Sequence, residues 1–118
     1  MLLVCRFVVS PEDEAVFAGR AERALELLTA AEGCLHAGLG RAVDDPDRWV
    51  LTARFASVTA YRRALSPFPV REHVIPLLSE ALADEPSTYE TLAEADGGMV
   101  TTHASLREDD PYRRSEAR

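Results

Sequence analysis

The chain has 118 residues, 47% of them hydrophobic and 28% charged, with a formal net charge of −7. That length and apolar share suit one globular domain, and the acidic balance argues against nucleic acid, because phosphate binding needs a basic patch. No apolar run approaches the roughly 20 residues that span a bilayer, and the opening MLLVCRFVVS lacks the charged n-region and small-residue cleavage site of a signal peptide, so a cytoplasmic protein with no membrane contact is expected.

Leu2 to Val9 is a nearly continuous apolar run broken by Arg6, which fits a central strand. Ser10-Pro11-Glu12-Asp13 then offers an N-cap hydroxyl, a proline at the first helical position and acids in the first turn. From Glu12 to about Ala31 the residues Phe17, Ala21, Ala24, Leu28 and Ala31 recur at helical spacing, and Gly33 stands where a C′ glycine ends a helix. Cys34 to Val43 alternates loosely around two glycines, a pattern that marks a bulge or a close backbone approach. Asp44-Asp45-Pro46-Asp47 reads as a hairpin turn. It leads into a strand, Arg48 to Phe55, in which Trp49, Leu51 and Phe55 alternate with Val50, Thr52 and Arg54.

Ser57 can N-cap the helix that follows, whose apolar positions Val58, Tyr61 and Leu65 lie three and four apart. This corner brings Phe55 close to Tyr61. Ser66-Pro67-Phe68-Pro69 interrupts the pattern, and a second helical piece runs from about Val70 to Leu82, with a kink or restart expected at Pro76. Ser87 to Leu92 reads as a last short strand. Residues 1–93 form the expected domain, and residues 94–118, rich in charge and poor in apolar side chains, read as a tail that is flexible or laid across a partner subunit. Cys5 and Cys34 share no metal-like spacing and read as free thiols.

The element order β-α-β-β-α-β predicts an α+β fold of the ferredoxin-like kind, a four-stranded antiparallel sheet with helices on one face. The other face would be bare yet partly apolar, so two sheets packed face to face, a homodimer, are expected. Strand parity turns Ala53 and Phe55 toward the helices and Thr52, Arg54 and Arg6 toward the partner sheet, with Glu90 as the nearest acceptor for those arginines.

Four stretches carry a family resemblance: Arg6 to Glu14, Glu32 to Leu35, Asp44 to Trp49 and Arg54 to Leu65. Together they resemble the antibiotic biosynthesis monooxygenase family over residues 1–93. The resemblance implies a dimeric α+β barrel, a pocket between sheet and helices, and in some members oxygenation without metal or flavin. Haem-degrading relatives place an asparagine on the first strand, a tryptophan at the end of the third and a histidine on the second helical region. Those positions fall at Cys5, Phe55 and near His73. Cys5 lacks the amide's paired donor and acceptor and Phe55 the indole N–H, so haem is not expected.

The sequence carries no metal-ligand set, flavin motif or glycine-rich phosphate loop, so no cofactor or metal is expected and any oxygenation would draw on the substrate's own electrons. His73, beside Glu72, reads either as a surface histidine or as the base that takes a proton near neutral pH. Tyr61 and Ser57 are candidate donors to a developing oxyanion. Phe55, Tyr61 and Trp49 would hold a planar ring, although each also suits a core. Cys5 would line the same pocket. His36 reads as structural, and His103 lies in the tail with no local role. Two functions stay open: a cofactor-independent monooxygenase of a small aromatic or polyketide-like compound, and a non-catalytic dimeric binding or housekeeping domain of the same fold.

Overall fold

The computed structural model describes residues 1–107. Strands β1 (Leu2–Val8), β2 (Cys34–Arg41), β3 (Arg48–Phe55) and β4 (Thr88–Tyr89) form one sheet in the order β2-β3-β1-β4 with every neighbouring pair antiparallel. Helix α1 (Glu14–Thr29) and three short helices, α2 (Val58–Ala64), α3 (Phe68–His73) and α4 (Ile75–Ser79), supply the helical layer. This is the expected ferredoxin-like arrangement.

The core lies between sheet and helices because two periods converge there. Alternate residues Leu3, Cys5 and Phe7 of β1 and Leu51, Ala53 and Phe55 of β3 are buried. They meet Phe17, Ala21, Ala24 and Leu28 of α1, spaced by four, three and four, and Val70, Val74 and Leu77 of α3 and α4. The intervening strand residues face away from the helices: Leu2, Arg6, Val8 and Arg54 are exposed, Val4, Val50 and Thr52 half-buried.

Several local expectations are corrected. Ser10 does not cap a backbone amide. Its hydroxyl donates to the Asp13 carboxylate at 3.0 Å, a turn of 3-10 helix occupies Pro11–Asp13, and α1 starts at Glu14. The bulge in β2 falls at Leu35, between Cys34 and His36, and not at the glycines. Pro76 does mark a restart. It is the second residue of α4, where its missing N–H is one that a helix start leaves unpaired anyway. Strand β4 keeps only two residues, joined by the bond from the Val4 amide to the Ser87 carbonyl at 2.8 Å. Arg6 pairs with Glu85 at 3.2 Å, not with Glu90.

Beyond β4 the chain forms a hairpin, β5 (Ala93–Asp96) and β6 (Met99–Thr102), around Gly97 and Gly98 at φ +56° and +83°. Two positive φ angles in a two-residue loop match the twist of a hairpin, and glycine adopts them without a Cβ penalty.

Candidate functional site

The corner between β3 and α2 is fixed by Ser57, whose Oγ accepts a hydrogen bond from the Ala60 amide at 3.0 Å. The cap leaves the hydroxyl proton free to donate. Residues 54–59 form one wall of a cleft of about 440 Å3. The facing wall comes from the C-terminal segment, through Glu90, Glu94, His103 and Leu106.

That segment is tied down by polar contacts. Glu90 accepts from the Ser105 hydroxyl at 2.6 Å and the Leu106 amide at 2.9 Å, and these two bonds hold its carboxyl below the usual range. Ser105 is fully buried. The His103 amide donates to the Leu92 carbonyl at 2.8 Å, and its Nε2 lies 3.0 Å from Glu94 Oε1. Arg54 and Arg62 also line the cleft. Among the described residues neither forms an ion pair, nor do Arg63 and Arg71 outside the cleft, whereas Arg6, Arg20, Arg23, Arg41 and Arg48 all do.

The residues singled out from sequence fall into three places. Phe55 and Tyr61 meet edge to face with ring centroids 5.3 Å apart, as the strand-to-helix corner implies. Cys5 belongs to the same group. Burial pushes its thiol up to about 11, and burial first, then the Cys5 charge, pushes the Tyr61 phenol above its ordinary value. Tyr61 is therefore a proton donor near neutral pH, not a base. Phe55 and Ser57 line the cleft.

Trp49 lies elsewhere. It shares a face with Phe55, but six steps along the strand separate them by roughly 20 Å. Trp49 packs edge-on against Phe17 at 5.5 Å, beneath the Arg41 guanidinium at 5.2 Å. Its buried Nε1–H has no partner among the described residues. Trp49 and Phe55 thus do not grip one small ring. His73 is also apart. It is exposed, 3.9 Å from Glu72 Oε1, in a groove with Arg20, Arg23 and Pro76. The structure does not bring it together with Tyr61, because the core stripe of α3 and α4 runs through Val70, Val74 and Leu77 and leaves His73 on its flank. His36 is exposed on the open face of the sheet, opposite Arg54.

Sequence reasoning missed His103, Glu94, Arg54 and Arg62 as cleft residues. The signal available was the Gly97-Gly98 pair. Read as a tight turn, it pairs Glu94 with Thr101 and so brings His103 back beside Glu94.

Comparison with known proteins agrees with this architecture. No curated protein matches the chain. Among solved structures, a conserved protein from Methanosarcina mazei Go1 is 23% identical, with a TM-score of 0.60, over 71% of this chain and 82% of its own. A mutant of SnoaB, a cofactor-independent oxygenase from Streptomyces nogalater, is 25% identical, also with a TM-score of 0.60, over 69% of this chain and 82% of its own. Rv0793 from Mycobacterium tuberculosis is 19% identical and aligns over 92% of this chain and 97% of its own with a TM-score of 0.59. The model of the antibiotic biosynthesis monooxygenase family matches residues 1–67, from β1 through the β3–α2 corner. More than half of the chain, including the Phe55–Tyr61 pair and one wall of the cleft, thus carries that family's pattern, and the chain belongs to the antibiotic biosynthesis monooxygenase family.

Proposed function

We propose that this protein is a cofactor-independent monooxygenase of a small aromatic or polyketide-like compound, working as a homodimer in the cytoplasm. What carries the reading is the cleft at the β3–α2 corner, inside the family-matched region, in a chain 25% identical to a cofactor-independent oxygenase. An acidic ring compound, once deprotonated, can pass an electron to O2. Recombination and loss of water convert a ring CH2 and O2 to a ring C=O and H2O, so the substrate supplies all the electrons. The protein then has to hold the ring, exclude water and stabilise the oxyanion. Leu35, Val58 and Leu106 offer apolar wall. Ser57 has a hydroxyl proton to donate, and Tyr61 stands behind Phe55 as a phenol kept protonated.

One observation favours the second reading, a non-catalytic binding domain. Phe55 and Leu77 are fully buried and Tyr61 packs on Phe55, so side chains occupy the space between sheet and helices. Oxygen uptake by metal-stripped protein with anthrone- and hydroquinone-type compounds separates the two. Uptake that falls about a hundredfold or more in Ser57→Ala, the scale of a lost oxyanion donor, supports the enzyme. No uptake with any compound retires it in favour of the binding domain.

A further inference from the structure

The cleft is unevenly charged, and the unevenness points to a ligand. Its two carboxylates are engaged, Glu90 by Ser105 and Leu106, Glu94 by His103. Its two guanidiniums, Arg54 and Arg62, have no carboxylate partner among the described residues, in a chain whose net charge is −7. A guanidinium left over in an acidic protein, beside an apolar wall, is suited to receive a planar carboxylate through two parallel N–H bonds. A cleft of about 440 Å3 lies in the range that takes small organic ligands.

The second feature is the imidazole. With Nε2–H donating to Glu94 Oε1 at 3.0 Å, His103 is held in the tautomer whose Nδ1 carries the lone pair. Nδ1 can then accept a proton, and Glu94 stabilises the imidazolium that forms. We infer that this cleft binds an aromatic acid, a planar ring with a carboxylate and an ionisable phenol or enol, with Arg54 and Arg62 receiving the carboxylate and the His103–Glu94 pair receiving the proton. In that step the ligand O–H bond breaks, its electron pair stays on the ring oxygen and the proton moves to Nδ1. The base role belongs to a residue outside the family-matched segment, directly after the hairpin that follows the sheet. As a substrate site this rests on the monooxygenase reading. As a binding site it does not.

para-Coumarate, whose phenol reddens its absorption on ionising, is the probe, with its neutral amide as control, both added to the full chain. The expected result is saturable binding of para-coumarate and a several-fold larger phenolate fraction when bound than when free at the same pH. The groups that set that fraction are Glu94, Glu90, Arg54, Arg62 and the N-terminal ammonium of Met1, all lining the cleft beside His103. Arg54→Gln and Arg62→Gln, both at exposed positions, each weaken para-coumarate about tenfold, the scale of a lost charge-assisted pair, and leave the amide unchanged. His103→Gln keeps the affinity and loses the excess phenolate, and Glu94→Gln reduces that excess without removing the imidazole. No binding, equal affinity in both arginine variants, or excess phenolate surviving His103→Gln overturns the inference. Binding and ionisation as described without oxygen uptake from any compound would retire the monooxygenase and keep this site. Uptake that leaves the cleft variants unaffected would do the reverse.

Discussion

Gly33 has φ +89°, and a Cβ added there would lie 2.7 Å from the Cβ of Ala60. The Ala56 amide also bonds to the Gly33 carbonyl at 2.8 Å, so the residue joins the end of α1 to the β3–α2 corner. A glycine ending the helix was legible from its position after a long amphipathic stripe. Its contact with Ala60 was not, because that depends on how two elements distant in sequence pack. Gly33→Ala carries backbone strain of about 1 to 3 kcal/mol and a comparable overpacking cost, so its Tm should fall by roughly 10 °C or more. Gly19 is the contrast: it is exposed within α1, and an added Cβ meets nothing within 4 Å. Gly19→Ala should raise stability by about 0.5 to 1 kcal/mol through helix propensity. Thermal melts of the two variants beside the unmodified chain check both; equal Tm values would remove the close packing at Gly33 from the account of this corner. The same distinction explains the aromatic residues. Period-two alternation correctly put Trp49 and Phe55 on one face of β3, but a shared face spans the whole strand, and the two rings join different clusters at its two ends.

The β5–β6 hairpin shows what composition conceals at the scale of elements. Residues 93–102 contain few large apolar side chains, and each is exposed, including Met99 and Val100 at 75% and 66%. With no apolar stripe to bury there was no periodicity to read; only the glycine turn marked the structure. An isolated two-stranded hairpin is marginal in water, and here it is anchored at its base by the His103–Leu92 and His103–Glu94 bonds. The segment that follows it is anchored by Glu90. The Glu90 carboxyl is held below its usual range by bonds from Ser105 and the Leu106 amide. Those contacts are therefore at full strength above the ordinary carboxylate range. They are lost as pH falls through that range and past the lower folded-state value. Amide exchange at Leu106, whose N–H bonds to Glu90, should accelerate on acidification relative to amides in β1 and β3, after correction for the intrinsic pH dependence. Glu90→Ala should reproduce the fast exchange at neutral pH. Protection of Leu106 that persists in the variant would show that another contact holds the segment. The α1 stripe and the strand alternation, by contrast, were legible because each buries one face against the same core.

Over the whole molecule, helices cover one face of the sheet and the other face stays open. That face carries Leu2 and Val8, 37% and 54% exposed, with Val4 and Val50 between them and the bulged Leu35, 55% exposed, at its margin. An apolar stripe of this kind on a small chain is better satisfied by a second copy than by water. Two-fold packing would set the same residues against each other. Arg54 and Arg6 share this face. Arg6 already has Glu85, and Arg54, at the end of β3 beside the cleft, belongs at the rim of such a dimer, open to the carboxylate it receives. The alternation of β1 and β3 made this face readable from the sequence, while its acceptors were not, since Glu85 and Glu90 lie in irregular segments whose course no periodicity fixes. Sedimentation at micromolar concentration should give twice the 13.0 kDa chain mass. Val4→Lys with Val50→Lys would place four like charges across the proposed two-fold interface, at positions that face away from the helical core. The pair should shift the chain to monomer while leaving its far-ultraviolet dichroism intact. A 13.0 kDa species for the unmodified chain, or a double variant that dimerises as tightly, would show that the sheets do not pack together.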